Sequence, residues 1–389
     1  MEYNWFLACL WMGLAILSAI LAQKLRISAS LIEIILGILG QSAACFILGK
    51  SGLNPKEGWV SFIAGLGAIM LTFMAGAELE PNAFRKQWKE STLIGLITFF
   101  VPFLCCALFA HFLFHWNWKG SLLAGIALSA TSVAVMYTVL LEFGLNRTTY
   151  GKGLLIGCFV NDLSSVLMLG FIFSPFGWKT AVLSFSILSC AILMAKITPL
   201  FLKKYGNKPA ELETKYLLFF LLGLGAIAVW AGSEAVLPAY IIGMVMAQSF
   251  GQNHELVKRL RTFTLGFLTP FYFIRAGSFV DLTSLLGGLV PFFLFFVIQQ
   301  LAKFVGTFPL LIKRKGLQEA AYTTLLMSTG LTFNVICALF GLSHGIITPS
   351  QYSILIPVII STAIFPTLIA NRFFLPKHLL KHDILFKGN

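Results

Sequence analysis

Of the 389 residues, 58% are hydrophobic and only 11% charged, against about 25% charged in a soluble domain. That excludes a water-soluble globular enzyme and leaves an integral membrane protein with nearly the whole chain in the bilayer. The net charge of +13 would suit a nucleic-acid partner, but its distribution (below) removes the need for one.

The expected fold class is an all-α polytopic membrane protein. Apolar runs long enough to cross a bilayer as helices recur thirteen times, at 5–22, 29–49, 59–79, 91–114, 120–141, 153–173, 179–202, 215–232, 236–250, 261–280, 286–312, 319–341 and 352–374. The first opens on MEYNWF, without a basic region, and so reads as a span and not a signal peptide. The second carries Glu33, a core polar contact. The third ends at Glu78, which either attracts cations or pairs with Arg85 or Lys86. The fifth, GSLLAGIALSATSVAVMYTVLL, places Ser129, Thr131 and Ser132 at mid-depth. The sixth holds Asp162 about ten residues in, beside Asn161, Ser164 and Ser165. The ninth is short, and Glu234 before it reads as interfacial. The tenth holds Arg275, which braces its own span through a helix end or Asp281. The eleventh holds Lys303. The twelfth, AAYTTLLMSTGLTFNVICALFG, repeats the polar interruption with Ser328, Thr329, Gly330 and Thr332. Loops are short, so a single transmembrane domain over 1–389 is expected, with no soluble regulatory domain. Cysteines 9, 45, 105, 106, 158, 190 and 337 all fall within spans and have no CxxC spacing. They read as apolar packing residues.

Charge sets a topology. The loops after odd-numbered spans, with the C-terminal tail, hold 20 of the 28 Lys and Arg residues, and the loops after even-numbered spans hold four. The positive-inside rule then puts the odd loops and the C-terminus in the cytoplasm and the N-terminus outside. Dropping one span would scramble this alternation. Lys196 and Arg372 lie near cytoplasmic ends, where they can snorkel. Arg275 and Lys303 lie deeper.

A charged Asp at the centre of a membrane helix costs roughly 2.5–3.5 kcal/mol on insertion scales. Such acids are structural hydrogen-bond or ion-pair partners, or they are functional. The two interruptions lie seven spans apart in opposite orientations, the pattern of inverted repeats with discontinuous helices. Asp162 with the hydroxyl and carbonyl oxygens of Thr131 and Ser132 makes a hard-oxygen site for a monovalent cation or a proton. One carboxylate that takes either gives competition at one site, and competition with alternating access is exchange.

Six stretches, in order and on the corresponding spans, resemble the monovalent cation/proton antiporter superfamily, in particular its NapA-type sodium/proton and Kef-type potassium/proton branch. They are SLIEIILGILGQ, LTFMAGAELEP, SATSVAV, GCFVNDLSSVL, LTPFYFIRAGSFVD and STGLTFNVI. The resemblance implies thirteen spans with two crossing discontinuous helices. It implies a core domain around helices 3–6 and 10–13, a dimerisation domain from the rest, and a homodimer working by an elevator-like movement. Asp162 matches the family's cation- and proton-binding aspartate, and Asn161 the variable residue before it, which is Asn in many electroneutral members. Thr131 and Ser132 match the unwound segment beside the ion. Lys303 matches the basic residue that pairs with a preceding Asp in charge-moving members. That Asp is absent here, so Lys303 is expected to bond Asn161 or a helix end. The expected function is exchange of Na+ or K+ for H+ by a secondary transporter in the cytoplasmic membrane, electroneutral and with no cofactor. The alternatives are a passive cation channel, a membrane protein whose buried charges are structural, and an organic-anion symporter on a similar scaffold. No channel-type filter repeat stands in the sequence, and the central polar groups are few and small for an organic anion.

Overall fold

The computed structural model describes residues 2–25, 27–48, 52–77, 81–145, 148–173, 177–205, 211–252 and 254–379. Among the described residues every regular element is helical. This follows from the solvent the composition implies: in hydrocarbon each backbone N–H and C=O must be satisfied within the segment. The helices in chain order are α1 (Glu2–Leu25), α2 (Ala29–Leu48), α3 (Gly58–Ala77), α4 (Pro81–Phe112), α5 (Trp118–Ser129), α6 (Val133–Glu142), α7 (Thr149–Phe173) and α8 (Trp178–Tyr205). They continue as α9 (Leu212–Trp230), α10 (Val236–Gln252), α11 (His254–Phe263), α12 (Thr269–Ser278), α13 (Leu282–Gly287), α14 (Leu289–Met327), α15 (Thr332–Ser343) and α16 (Pro349–Ile369).

The thirteen predicted spans fall on these helices, but the chain divides them differently in places. Nine described helical stretches are long and apolar enough to cross a membrane. Val236–Phe250, the short ninth prediction, is an apolar helix below that length. The predicted tenth span joins the end of α11, a π-helical turn (Thr264–Leu268) and α12. At the expected boundary between the eleventh and twelfth spans the helix is interrupted at Gly316, whose φ of 79° is the left-handed region that a residue without Cβ adopts freely, so α14 consists of two helices joined at a kink. The fifth and twelfth spans are each broken at the expected polar residues: α5 stops at Ser129 and α6 begins at Val133, while α14 stops at Met327 and α15 begins at Thr332.

The chain forms two compact units. The first comprises Met1–Pro81 with Leu169–Phe279. Its helices approach at backbone distance. A Cβ on Gly37 would collide with the Ile274 carbonyl, and one on Gly277 with the Ile34 carbonyl, so α2 and α12 touch through glycine on both sides. Gly76 of α3 and Gly243 of α10 make the same kind of pair. Small residues of this sort let membrane helices gain packing contacts that hydrophobicity alone does not provide there. An apolar core of Met70, Phe73, Leu217, Leu221, Ile242 and Met246 fills the space between α3, α9 and α10. Trp11 stacks on Phe271 with centroids 5.5 Å apart and donates its indole N–H to the Leu53 carbonyl.

The second unit comprises Asn82–Met168 with Val280–Asn389. It contains both broken helices. Its core includes Ile94, Met136, Leu140, Leu154, Leu311 and Leu326, drawn from α4, α6, α7 and α14. Asn117 caps α5 by accepting from the Gly120 N–H at 2.6 Å, and Thr348 with Gln351 forms a reciprocal capping box at the start of α16.

Candidate functional site

The site is built where the two breaks meet within the second unit. Breaking a helix in a low-dielectric interior exposes the carbonyls of its last turn and the amides of its next first turn. The two breaks satisfy each other. The Ser132 N–H donates to the Thr329 carbonyl at 2.9 Å, and the Thr131 hydroxyl donates to the Met327 carbonyl at 2.9 Å. Asn334, at the start of α15, donates its amide to the Ala127 and Ala130 carbonyls at 2.7 and 3.0 Å. The Ser132 hydroxyl accepts from the Val135 N–H at 3.4 Å, capping α6, and lies 3.5 Å from the Thr332 hydroxyl.

α7 brings Asn161 and Asp162 to the first break. It reaches that position by close approach to α4: a Cβ on Gly95 would lie 2.5 Å from the Gly157 carbonyl. Asn161 is fully buried and uses both ends of its amide. Its oxygen accepts from the Thr131 N–H at 2.9 Å. Its nitrogen donates to the Thr98 hydroxyl at 3.2 Å and the Ser129 carbonyl at 3.4 Å. Its placement is thus that of a splint across the unwound segment.

Lys303 is completely buried. Its ammonium donates to the Ser129 carbonyl at 2.6 Å and the Thr131 hydroxyl at 3.1 Å. Of the two partners expected for it, the helix end is the one it bonds: Ser129 closes α5. A cation there meets the negative end of the helix dipole.

Asp162 is 4% exposed, and its Oδ1 is buried with no hydrogen-bond partner among the described residues. The contrast with its surroundings is chemical. Thr131, Ser132, Asn161 and Lys303 are all bonded, while Asp162, next to Asn161 in α7, keeps a buried oxygen unanswered among the described residues. A charge buried in this way is costly unless a counter-charge or proton arrives. Asn334 Oδ1 is a second buried oxygen at the breaks without a hydrogen-bond partner among the described residues.

The other sequence-derived candidates lie elsewhere. Arg275 belongs to the first unit, where it donates to the Pro55 carbonyl at 2.8 Å and the Ser61 hydroxyl at 3.0 Å and stands over the Phe279 ring. It braces α12 against the approach to α3. Asp281 instead accepts from Thr283 and Ser284 at the start of α13. Glu33 is buried in the first unit, with Oε2 lacking a hydrogen-bond partner among the described residues. Glu78 lies outside the described residues. Three residues at the breaks escaped the sequence reading: Thr98, Gln299 and Asn334. Thr98 is an isolated polar residue in an apolar run, Gln299 stands in the pair QQ, and Asn334 follows Thr332 by two residues, and such polar residues in a membrane span are the only local signal they carry.

The profile of the family described as "Sodium/hydrogen exchanger, transmembrane" matches residues 12–374. The chain is 26% identical over 402 residues to "Na(+)/H(+) antiporter NhaS4" of Synechocystis sp., covering 94% of this chain and 96% of that protein. It is 26% identical over 404 residues to "Cation/H(+) antiporter 17" of Arabidopsis thaliana, of which it spans about half the length, 49%. Among solved structures it resembles the sodium proton antiporter MjNhaP1 of Methanocaldococcus jannaschii, with a TM-score of 0.68 at 18% identity over 95% of this chain and 97% of that one.

Proposed function

The chain belongs to the sodium/hydrogen exchanger family, and we propose that it is a secondary antiporter exchanging a monovalent cation, Na+ or K+, for H+. The observation that carries this reading is the buried, unanswered oxygen of Asp162 beside the broken helix. A proton or a cation completes it, and not both at once. Thr131 and Ser132 supply neighbouring oxygens, the hydroxyls and the carbonyls of the unwound turn. No step requires a cofactor or an enzyme-type reaction.

Alternating access by an elevator-like movement then carries the loaded site across. The moving core is built around the third to sixth and tenth to thirteenth spans, and the remaining helices make the dimerisation domain of a homodimer. The excess of Lys and Arg in the odd loops supports a multi-pass placement in the cytoplasmic membrane with the N-terminus outside and the C-terminus inside.

The exchange is one-for-one and electroneutral. Lys303 is bonded to a helix end and a hydroxyl, so no carboxylate partner has to be broken and re-formed during the cycle. The test is dye-monitored ΔpH in proteoliposomes on adding Na+, K+ or Li+, with the membrane potential clamped at several values. Cation-dependent ΔpH collapse at a rate indifferent to potential is expected. Current without obligatory proton movement would replace exchange by a channel, and a steep potential dependence would put Lys303 in the proton count. Asn161→Asp sharpens the point. It gives Lys303 a carboxylate and removes the donor to Thr98 and Ser129, and it is expected to make the rate potential-sensitive.

A further inference from the structure

Resting on the exchange reading, we propose that Gln299 is a positioning residue of the cation site: it holds the end of the second broken helix as Lys303 holds the end of the first, and thereby sets cation affinity. Gln299 and Lys303 are four residues apart on α14, hence one turn apart on the same face. Both are buried. Lys303 donates to the Ser129 carbonyl, the last of α5. Gln299 donates from Nε2 to the Ser328 carbonyl at 3.1 Å, one residue past the end of α14. One helix face thus caps both broken ends.

The orientation of the Gln299 amide is determined by its neighbour. Gln300 donates to the Gln299 oxygen at 2.8 Å, which leaves the nitrogen for Ser328. The caps differ in chemistry. The first broken end receives a lysine amine, the second a neutral amide. The second end is therefore held in place while its negative dipole end is not cancelled.

What Ser328 connects to gives this bond its reach. The carbonyl before it, of Met327, accepts from the Thr131 hydroxyl, and the carbonyl after it, of Thr329, accepts from the Ser132 N–H. Gln299 pins the middle of a three-carbonyl run whose two flanks hold the two candidate cation ligands. Releasing Ser328 lets both ligands shift relative to Asp162 while leaving the exchanging carboxylate intact.

Gln299→Met keeps side-chain length and removes the donor. In proteoliposomes it is expected to raise the half-saturating Na+ concentration roughly three- to tenfold, the range of one hydrogen bond, and to lower the maximal rate much less. Na+-induced thermal stabilisation of the detergent-purified protein, which reports binding without turnover, should weaken in parallel. Gln299→Glu restores a donor only while the carboxyl is protonated, with Lys303 the charged group one turn away on that face. Its half-saturating concentration should approach the wild-type value at acidic pH and depart from it as the pH rises. A packing role alone predicts a silent Met variant and a constant Glu-to-wild-type ratio across pH, and either result overturns the inference while exchange by the wild type stands. If Gln299→Met does not yield folded protein, the pH dependence of the Glu variant decides. A wild-type protein that neither exchanges nor is stabilised by Na+ overturns the inference and the exchange reading together.

Discussion

The first unit keeps its helices continuous where the second breaks them, and their interiors differ accordingly. In the first, backbones touch through Gly37 and Gly277 and through Gly76 and Gly243, and buried polar groups are dispersed. Glu213, for example, is fully buried within 3.6 Å of the half-exposed Arg259. In the second, buried polar groups converge on two interruptions: Asn161, Gln299, Lys303 and Asn334 bond to groups at the breaks, and Thr98 accepts from Asn161. A continuous helix satisfies its own backbone, so its neighbours are free to be apolar and close. A broken helix in the same solvent leaves carbonyls and amides that other side chains must answer. The polar inventory of the second unit follows from its breaks, and among the described residues Asp162 is the carboxylate there whose buried oxygen those bonds leave incomplete.

The sharpest way to break this contrast is at that member. Asp162→Asn removes the exchangeable charge while preserving shape, and cation-driven proton flux should be lost with folding intact, measured as ΔpH collapse in proteoliposomes containing correctly inserted protein. Wild-type-like flux would transfer the function away from the breaks. In the first unit the corresponding weak point is steric. Gly277→Leu drives a side chain into the Ile34 carbonyl, and overpacking of this kind costs about 1–3 kcal/mol. A lower thermal midpoint of the purified protein is expected, with exchange retained by whatever fraction remains folded. An unchanged midpoint would mean that α2 and α12 can separate freely.

A smaller effect is expected at Thr131. Thr131→Ala removes the bond to the Met327 carbonyl and a partner of Lys303. The half-saturating cation concentration should rise by roughly a factor of three to ten, with the maximal rate less affected because Asp162 remains. An unaltered half-saturation would remove Thr131 from the site. The smallest effect is expected at the exposed start of α13. Hydrogen bonds from Ser284 and Thr283 hold the Asp281 carboxyl below the usual carboxylate range. A depressed folded-state value stabilises above the ordinary Asp value of about 3.9, and this contribution fades as the pH falls through the folded-state value. Asp281→Ala should lower the thermal midpoint slightly at neutral pH, and the difference from wild type should close on acidification.

Composition and the length of apolar runs determined the all-helical membrane fold, because hydropathy and helix length are local properties of the chain. The two interruptions were legible for a similar reason: SATS and STGLT put small polar residues where a span should be apolar, and the helices stop there. Asp162 stood out because a carboxylate in hydrocarbon is costly wherever the rest of the fold lies. For Lys303 the sequence left two partners open, and the tertiary structure chose the end of α5. Gln299, Thr98 and Asn334 became visible only in three dimensions. Each answers a backbone or side-chain group between 29 and 207 residues away in the chain, and nothing local in QQLAKF or TFNVI states which carbonyl will lie within reach. The boundary between the eleventh and twelfth spans was legible in the sequence, since the basic run at 313–315 leads into Gly316, whose backbone interrupts the helix there. The need for partners is written in single residues and their solvent, whereas the identity of each partner depends on how distant helices pack.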